Sequence, residues 1–245
     1  MQVDALAVRL RPRAPLEAAD LGARLCRSSA RSVYICYLVA AVPVMVLSTA
    51  TYELRSWLPV LLIWWFKPWF DRTILFVLAR SAFGQSTTLA DLWRAQGQVW
   101  WRQLLLTLTW RRLSPWRSFT QPVYQLEGHP FSKIRQRVLQ IRGKRTGPAM
   151  LMTSAFSLAE TSLTLAVASL AVWFAPGDGT PNFVAWFSGA ESSALVTILS
   201  SLSYAVVVLF LEPFYVGAGF AMYLNRRADL EAWDIEQEFR RAFAQ

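Results

Sequence analysis

Two long stretches of this chain carry almost no charge, and the segment that joins them contains no lysine or arginine. Glu160 is the only charged residue in 148–174, and Glu212 is the only one in 193–219. At about 1.5 Å per helical residue, each stretch is long enough to cross the roughly 30 Å hydrocarbon core of a bilayer. Lys and Arg are retained on the cytoplasmic side, so segment 175–192 is expected outside. The pattern therefore predicts a helical membrane protein and also its orientation.

The composition agrees with a membrane protein. Hydrophobic residues make up 54% of the 245 residues, whereas roughly 45–50% is typical of soluble domains. The chain has 12 Trp, a residue that favours the membrane–water interface because its ring is apolar and its N–H is polar. The net charge of +9 comes from basic blocks that flank the apolar runs. The positive-inside rule explains those blocks without a nucleic-acid partner.

Four spans with both termini in the cytoplasm satisfy this charge pattern. Residues 33–50 form the first predicted span. Residues 57–83 form a second, interrupted by Lys67 and Pro68, which is expected as one kinked helix that spans until about Phe76 and then leaves along the surface. The predicted class is an all-α, polytopic bundle of four transmembrane helices plus amphipathic interfacial helices. In chain order we expect a cytoplasmic segment 1–31 with a short helix along the headgroups, a first transmembrane hairpin 32–83, a basic Trp-rich cytoplasmic or interfacial region 84–147, a second transmembrane hairpin 148–219 with its external loop 175–192, and a cytoplasmic C-terminal helix 220–245.

The region 84–147 holds 11 basic residues and only two acidic ones. Two amphipathic helices are expected here, over 99–113 and 131–144, with Pro-containing irregular connections between them at 114–115, 121–122 and 129–130. The second helix has a stripe formed by Phe131, Ile134, Val138 and Ile141. Such basic helices either bind anionic lipid headgroups or only fix the topology. The residues expected to meet headgroups are Trp100, Trp101, Arg102, Arg111, Arg112, Lys133, Arg135 and Arg137.

Five charged residues interrupt the predicted spans: Lys67, Asp71, Arg72, Glu160 and Glu212. A charge at the bilayer centre costs at least about 2.5–3.5 kcal/mol on insertion scales, so such residues usually face the bundle interior and pair. Distance along each helix places Lys67 and Glu160 near the midplane and the other three nearer the inner face. The predicted pairs are Lys67–Glu160 and Arg72–Glu212. The cluster is either a proton or substrate pathway around a polar cavity, or a lock that fixes helix register.

Catalysis has little support in the sequence. No nucleophile elbow and no phosphate-binding loop is present, and Cys26, Cys36 and His129 lack the spacing of metal ligands. No cofactor and no metal are therefore expected, and both cysteines are expected as free thiols. Gly217 and Gly219 are expected to allow close helix packing or a bend beside Pro213, and the abundant Ser and Thr of the last two spans are also expected at close helix contacts.

Three stretches carry a resemblance to a known group. LRPRAPLEAADLG, WWFKPWFDRTILFVLARSAFG and EPFYVGAGFAMYLNRRADLEAWDIEQEFRR resemble uncharacterised bacterial multi-span inner-membrane proteins encoded near MoxR-type AAA+ ATPase and transglutaminase-like genes. The resemblance implies an inner-membrane location and a larger envelope assembly, and it supplies no reaction. The matching residues are Lys67, Pro68, Asp71, Arg72, Glu212, Pro213, Tyr223, Asn225, Arg226, Arg227, Glu231, Trp233, Asp234 and Glu236.

Two functional hypotheses follow. The first is a non-catalytic subunit or scaffold of a bacterial envelope complex, which would bind membrane-protein partners or further copies of itself and contact anionic lipids. The alternative is a small transporter or lipid-handling protein that uses the intramembrane charged cluster. An enzyme is disfavoured because acid–base chemistry needs a nucleophile or a metal beside the carboxylates.

Overall fold

The computed structural model describes residues 13–128, 130–143, 146–173 and 194–231. Within those ranges all regular structure is helical, so the predicted all-α class is confirmed. The helices are α1 (Pro15–Ser28), α2 (Ala30–Ala50), α3 (Leu58–Ala82), α4 (Leu89–Arg94), α5 (Leu104–Leu108), α6 (Arg117–Leu126), α7 (Phe131–Arg142), α8 (Thr146–Trp173) and α9 (Ala194–Glu231). Short 3₁₀ turns occupy Thr51–Glu53 and Trp110–Leu113, and a single π-helical turn occupies Gly97–Trp101.

In the part of the chain that the structure describes, three helical segments are long and apolar enough to cross a membrane: Ala30–Glu53, Thr146–Leu170 and Thr197–Glu231. They belong to α2, α8 and α9. Helix α3 has 25 residues, but every stretch of it long enough to span contains Lys67, Asp71 and Arg72. The three charged side chains are nevertheless buried, with 8%, 0% and 4% of their surface exposed. Helix α3 is thus a bundle helix that keeps its charges inside the protein.

Helices α2 and α3 form an antiparallel hairpin joined by a short turn. Pro43 lies inside α2 and Pro68 inside α3, and each helix continues past its proline. The second predicted span, 57–83, is therefore one helix whose ends agree with the prediction to within a residue.

Helix α9 is the centre of the bundle and packs against α1, α2, α3, α6 and α8. We expected a cytoplasmic helix from residue 220, and over the described residues that segment continues α9 without a break to Glu231. The continuation has a physical basis: Phe220, Tyr223, Leu224 and Ala228 are all buried and lie on one face at helical spacing. Residues 232–245 of the expected tail lie outside the described residues.

Glycines set the closest helix contacts. A Cβ atom on Gly22 of α1 would lie 2.0 Å from the carbonyl oxygen of Gly217 in α9. A Cβ atom on Gly219 would lie 2.3 Å from the hydroxyl oxygen of Ser118 in α6. Real atoms do not approach so closely, so α1 and α6 reach α9 only because side chains are absent there. The packing role expected for Gly217 and Gly219 is confirmed, and α1 packs on α9 as part of the bundle.

The expectation of one amphipathic helix over 99–113 is wrong. That stretch is broken into the end of the turn Gly97–Trp101, then α5, then the turn Trp110–Leu113. The break comes at Gln103, whose φ of 60° is in the left-handed region. The side chain of Arg72 causes this break, because it binds the carbonyl oxygens of Gln98 and Val99. In a continuous α-helix those oxygens would accept bonds from residues 102 and 103.

Helix α6 was not expected, since its residues had been assigned to irregular connections around proline pairs. Pro115 precedes the helix and Pro122 lies inside it. The helix is buried along Ser118–Val123, where it packs on α9. Helix α7 is where it was predicted, and Ile134, Val138 and Ile141 of its apolar stripe are buried.

The glycine contact between α1 and α9 gives a stability prediction. Gly22→Ala is expected to lower the free energy of unfolding by about 1–3 kcal/mol, because the new methyl group must displace the α9 backbone. Gly147→Ala is the matched control, since a Cβ atom on that glycine meets nothing within 4 Å. It should leave stability unchanged or raise it by about 0.5–1 kcal/mol. Thermal melting of both variants in one detergent is the measurement, and equal loss in both would contradict the packing argument.

Candidate functional site

A chain of ion pairs joins helices α8, α3 and α9 inside the bundle. The Lys67 ammonium nitrogen lies 2.5 Å from an oxygen of Glu160 and 2.8 Å from an oxygen of Glu212. The predicted Lys67–Glu160 pair is therefore present. Glu212 is 1% exposed, and it reaches Lys67 because residues of α9 and α3 face each other at this level.

Arg117 extends the chain of ion pairs to α6. Its Nε atom lies 2.9 Å from Asp71 and its Nη2 atom 3.1 Å from Glu212. Burial alone would lower the pKa of Arg117, but the nearby carboxylates of Asp71 and Glu212 raise it, so the guanidinium stays charged. The order of contacts is Glu160, Lys67, Glu212, Arg117, Asp71, and these five residues are called the charged cluster below.

The predicted Arg72–Glu212 pair is wrong. Arg72 turns away from α9, binds two carbonyl oxygens of the Gly97–Trp101 turn and donates to the Thr107 hydroxyl at 3.1 Å. Successive helical residues point about 100° apart, so adjacent Asp71 and Arg72 cannot face the same neighbour. Lys67 and Asp71 are four residues apart and share a face.

Sequence reasoning missed Arg117 because it was one of many basic residues in 84–147. The sequence does contain a weak indication that a further cation is needed. The five predicted intramembrane residues have three acids and two bases, and Arg72 lies on a different face of α3 from Lys67 and Asp71. That leaves three carboxylates facing one lysine, an imbalance that requires another cation from outside the predicted spans.

A cavity of about 710 Å³ adjoins the charged cluster. Helices α3, α8 and α9 form its walls, and α3 and α8 each pack on α9 while hardly touching one another. Lys67, Glu160, Glu212 and Tyr204 give it a polar side. The apolar lining is supplied by Val60, Leu61, Trp64, Phe156 and Leu211. The cluster is thus not sealed within the bundle: it borders a space with one polar and one apolar side.

Arg112 also lines this cavity, although its charge is held by the cavity wall. Its guanidinium carbon lies 3.4 Å from the ring centre of Trp64, and Nη1 donates to the carbonyl oxygen of Trp65 at 2.6 Å. Burial lowers the pKa of Arg112 to about 10, so it remains a cation at neutral pH. Arg112, one of the residues expected to meet headgroups, is thus 7% exposed and turned toward the cavity.

The other residues expected at headgroups divide into two groups. Trp101, Arg102, Lys133 and Arg135 are exposed. Three are tied to the protein: Trp100 donates to the Thr73 hydroxyl at 2.9 Å, Arg111 stacks on the Tyr124 ring at 3.7 Å, and Arg137 pairs with Glu127 at 2.8 Å and also with Glu231.

The C-terminal motif ties chain segments together. The Asn225 side chain exchanges two hydrogen bonds with the backbone of Arg13, at 3.1 and 3.0 Å. Arg226 donates to the carbonyl oxygens of Ile141 and Gln140 at the end of α7, which leaves fewer unpaired groups at that terminus. Arg227 pairs with Glu231 at 2.6 Å. Trp233 and Asp234 lie outside the described residues.

Comparison with protein-family models, with curated proteins and with solved structures finds no match for this chain. Within the described ranges, no three His, Cys, Asp or Glu side chains are grouped so that they could hold a metal ion. Cys26 and Cys36 are buried free thiols. The candidate site therefore rests on geometry alone, in the charged cluster and its cavity.

Two glutamates of the charged cluster, Glu212 and Glu160, are expected to contribute unequally to the free energy of unfolding. Glu212→Gln removes the charge shared by Lys67 and Arg117, and we expect it to cost about 3–5 kcal/mol of unfolding free energy. Glu160→Gln, which affects one partner at the edge of the cavity, should cost about 1–2 kcal/mol. Unfolding in SDS mixed micelles, followed by tryptophan fluorescence, measures both. An equal cost for the two variants would show that Glu212 does not bridge two cations.

Proposed function

We propose that α2, α3, α8 and α9 cross the inner membrane as four spans, with both termini cytoplasmic. At about 1.5 Å per residue, α3 is roughly 37 Å long and exceeds the hydrocarbon thickness. Its Lys67 and Asp71 have partners of opposite charge, and Arg72 donates hydrogen bonds to carbonyl and hydroxyl oxygens. Pairing of this kind lowers the free-energy cost of placing a charged side chain in the bilayer. The absence of Lys and Arg from 175–192 supports the orientation.

We further propose that the protein handles an amphipathic ligand, such as a lipid, in the cavity beside the charged cluster. The observation that carries this proposal is that Lys67, Glu160 and Glu212 all line a cavity of about 710 Å³. If the charged cluster served only to fix helix register, we would expect the surrounding helices to pack over it and leave no cavity. Ligand sites commonly have volumes of about 300–1,000 Å³ and combine apolar walls with a few convergent polar groups.

The lining indicates how the ligand would be oriented. A polar headgroup would face Lys67, Glu160 and Tyr204, whereas an apolar tail would lie against Trp64 and Phe156. The tail could enter between α3 and α8, because those two helices hardly touch. Entry from the bilayer side is the route expected for a lipid or a lipid-like molecule.

Substituted cysteines test whether water reaches the cavity. Ser157 lines the cavity, whereas its neighbour Leu158 is 69% exposed on the outer face of α8. In membranes, Ser157→Cys should react with a charged methanethiosulfonate at least about tenfold faster than Leu158→Cys, the factor that one pKa unit makes in the thiolate fraction. Cys26 and Cys36 are 0% exposed and should stay silent. Equal labelling at both positions would rule out an aqueous cavity here.

Native mass spectrometry of protein extracted in mild detergent tests ligand binding. The wild-type protein should retain a non-protein mass that Glu160→Gln retains at least about tenfold less, a factor worth about 1.4 kcal/mol. Glu53→Gln is the control, since it removes one negative charge at an exposed turn outside the cavity. If Glu160→Gln retained the non-protein mass as well as the wild-type protein does, the ligand would not bind in this cavity.

A scaffold in an envelope complex is the second candidate. Its support is the exposure of Trp93, Trp101 and Trp110, at 64%, 64% and 83%, since aromatic residues are enriched at protein interfaces. The same mass-spectrometric experiment separates the candidates. Stoichiometric protein partners with no retained small molecule would favour the scaffold over ligand handling.

A further inference from the structure

A second cavity, of about 390 Å³, lies between α5, α6 and α7. Four arginines line it, namely Arg72, Arg111, Arg117 and Arg142, and the described residues around it include no Asp or Glu. Arg117 is neutralised by Asp71 and Glu212 on its other side. The remaining three give this cavity a positive charge that its lining does not balance.

Each of the three arginines is held by neutral groups. Arg72 uses backbone carbonyls and the Thr107 hydroxyl, as described above. Arg111 bonds to the Gln103 amide oxygen and stacks on Tyr124. Arg142 stacks over the Trp116 ring at 3.8 Å, and its Nε atom is buried without a hydrogen-bond partner among the described residues. The guanidinium groups are thus positioned while their charge remains available.

The three arginines line the same cavity, and Arg72 lies within electrostatic range of Arg111. Arg111 and Arg142 both act electrostatically on Tyr124, and the charged groups acting on Arg72 are those of Arg111 and Arg102. Gathering like charges in a buried space is unfavourable unless an anion joins them. Guanidinium groups bind phosphate through paired, charge-assisted hydrogen bonds, which makes phosphate the anion they fit best.

The rim of the cavity is apolar. Trp110 and Leu113 line it and are 83% and 77% exposed. Residues of this kind on a membrane protein lie where acyl chains can cover them. A free phosphate would use the arginines and leave this rim bare, whereas a lipid would use both.

We infer that this cavity binds the phosphate headgroup of an anionic phospholipid, with Arg72, Arg111 and Arg142 on the phosphate and the acyl chains over Trp110 and Leu113. The site is distinct from the cavity beside the charged cluster and does not depend on the function proposed for it. Among the described residues, the two spaces share only Arg117.

Native mass spectrometry of the delipidated full chain, titrated with phosphatidylglycerol or phosphatidylcholine, tests the inference. Wild-type protein should bind phosphatidylglycerol preferentially. The R111Q/R142Q variant should lose at least about tenfold in that affinity, because each basic residue near an anionic lipid contributes a several-fold factor. R24Q/R94Q is the control: it also removes two positive charges, from arginines with 74% and 80% exposed side chains that do not line the cavity, and it should keep the wild-type affinity.

Three results would overturn the inference. The first is a wild-type protein with no preference between the two lipids, which can be judged even if the double variant fails to fold. The second is an equal loss of affinity in R24Q/R94Q and in R111Q/R142Q, which would indicate surface attraction without a site. The third is displacement of phosphatidylglycerol by an equal concentration of inorganic phosphate, which would assign the arginines to a soluble anion.

Discussion

The fold depends on how one buried carboxylate is neutralised. Glu212 is almost fully buried in the central helix α9, where its charge is stable only if cations reach it. Lys67 comes from α3 and Arg117 from α6, so three helices must meet at one level before the desolvation cost is offset. The Gly219–Ser118 contact brings α6 close enough to α9 for Arg117 to reach that carboxylate. The close Gly219–Ser118 contact and the Arg117–Glu212 ion pair thus both hold α6 against α9.

The same junction explains why the cavity exists. Lys67 is shared between Glu212 and Glu160, so α8 is joined to the cluster through its carboxylate while its packing is directed at α9. A helix held in this way leaves space beside α3. Movement of α8 would change the partners of Lys67 without breaking the pairs that Arg117 makes. The cluster can therefore hold the bundle together and still border a ligand space, so the lock and the binding site are not exclusive alternatives.

Hydrophobic periodicity and depth in the bilayer predicted much of this structure. The prediction failed where it depended on the direction in which a side chain leaves the helix axis. The α7 stripe and the Lys67–Glu160 pair follow from spacing and from height in the bilayer. The Arg72–Glu212 prediction failed because height alone was used, whereas the 100° step from Asp71 turns Arg72 toward another segment. That residue then takes carbonyl oxygens from residues 98 and 99 and ends the helix that local pattern predicted over 99–113. A break caused by a side chain some 26 residues away is not visible in a local window.

The arginines of 84–147 show that a basic block can do more than set topology. The positive-inside rule requires only that the charges be present, as exposed Arg102 and Arg135 are. Burying Arg117 beside two carboxylates adds a structural requirement. Partly burying Arg111 and Arg142 beside neutral groups adds a different one, since charge removed from water without a counter-ion raises the energy of the empty site. A membrane that supplies anionic lipid can provide that counter-ion, which would make the bilayer a component of the folded state as well as its solvent.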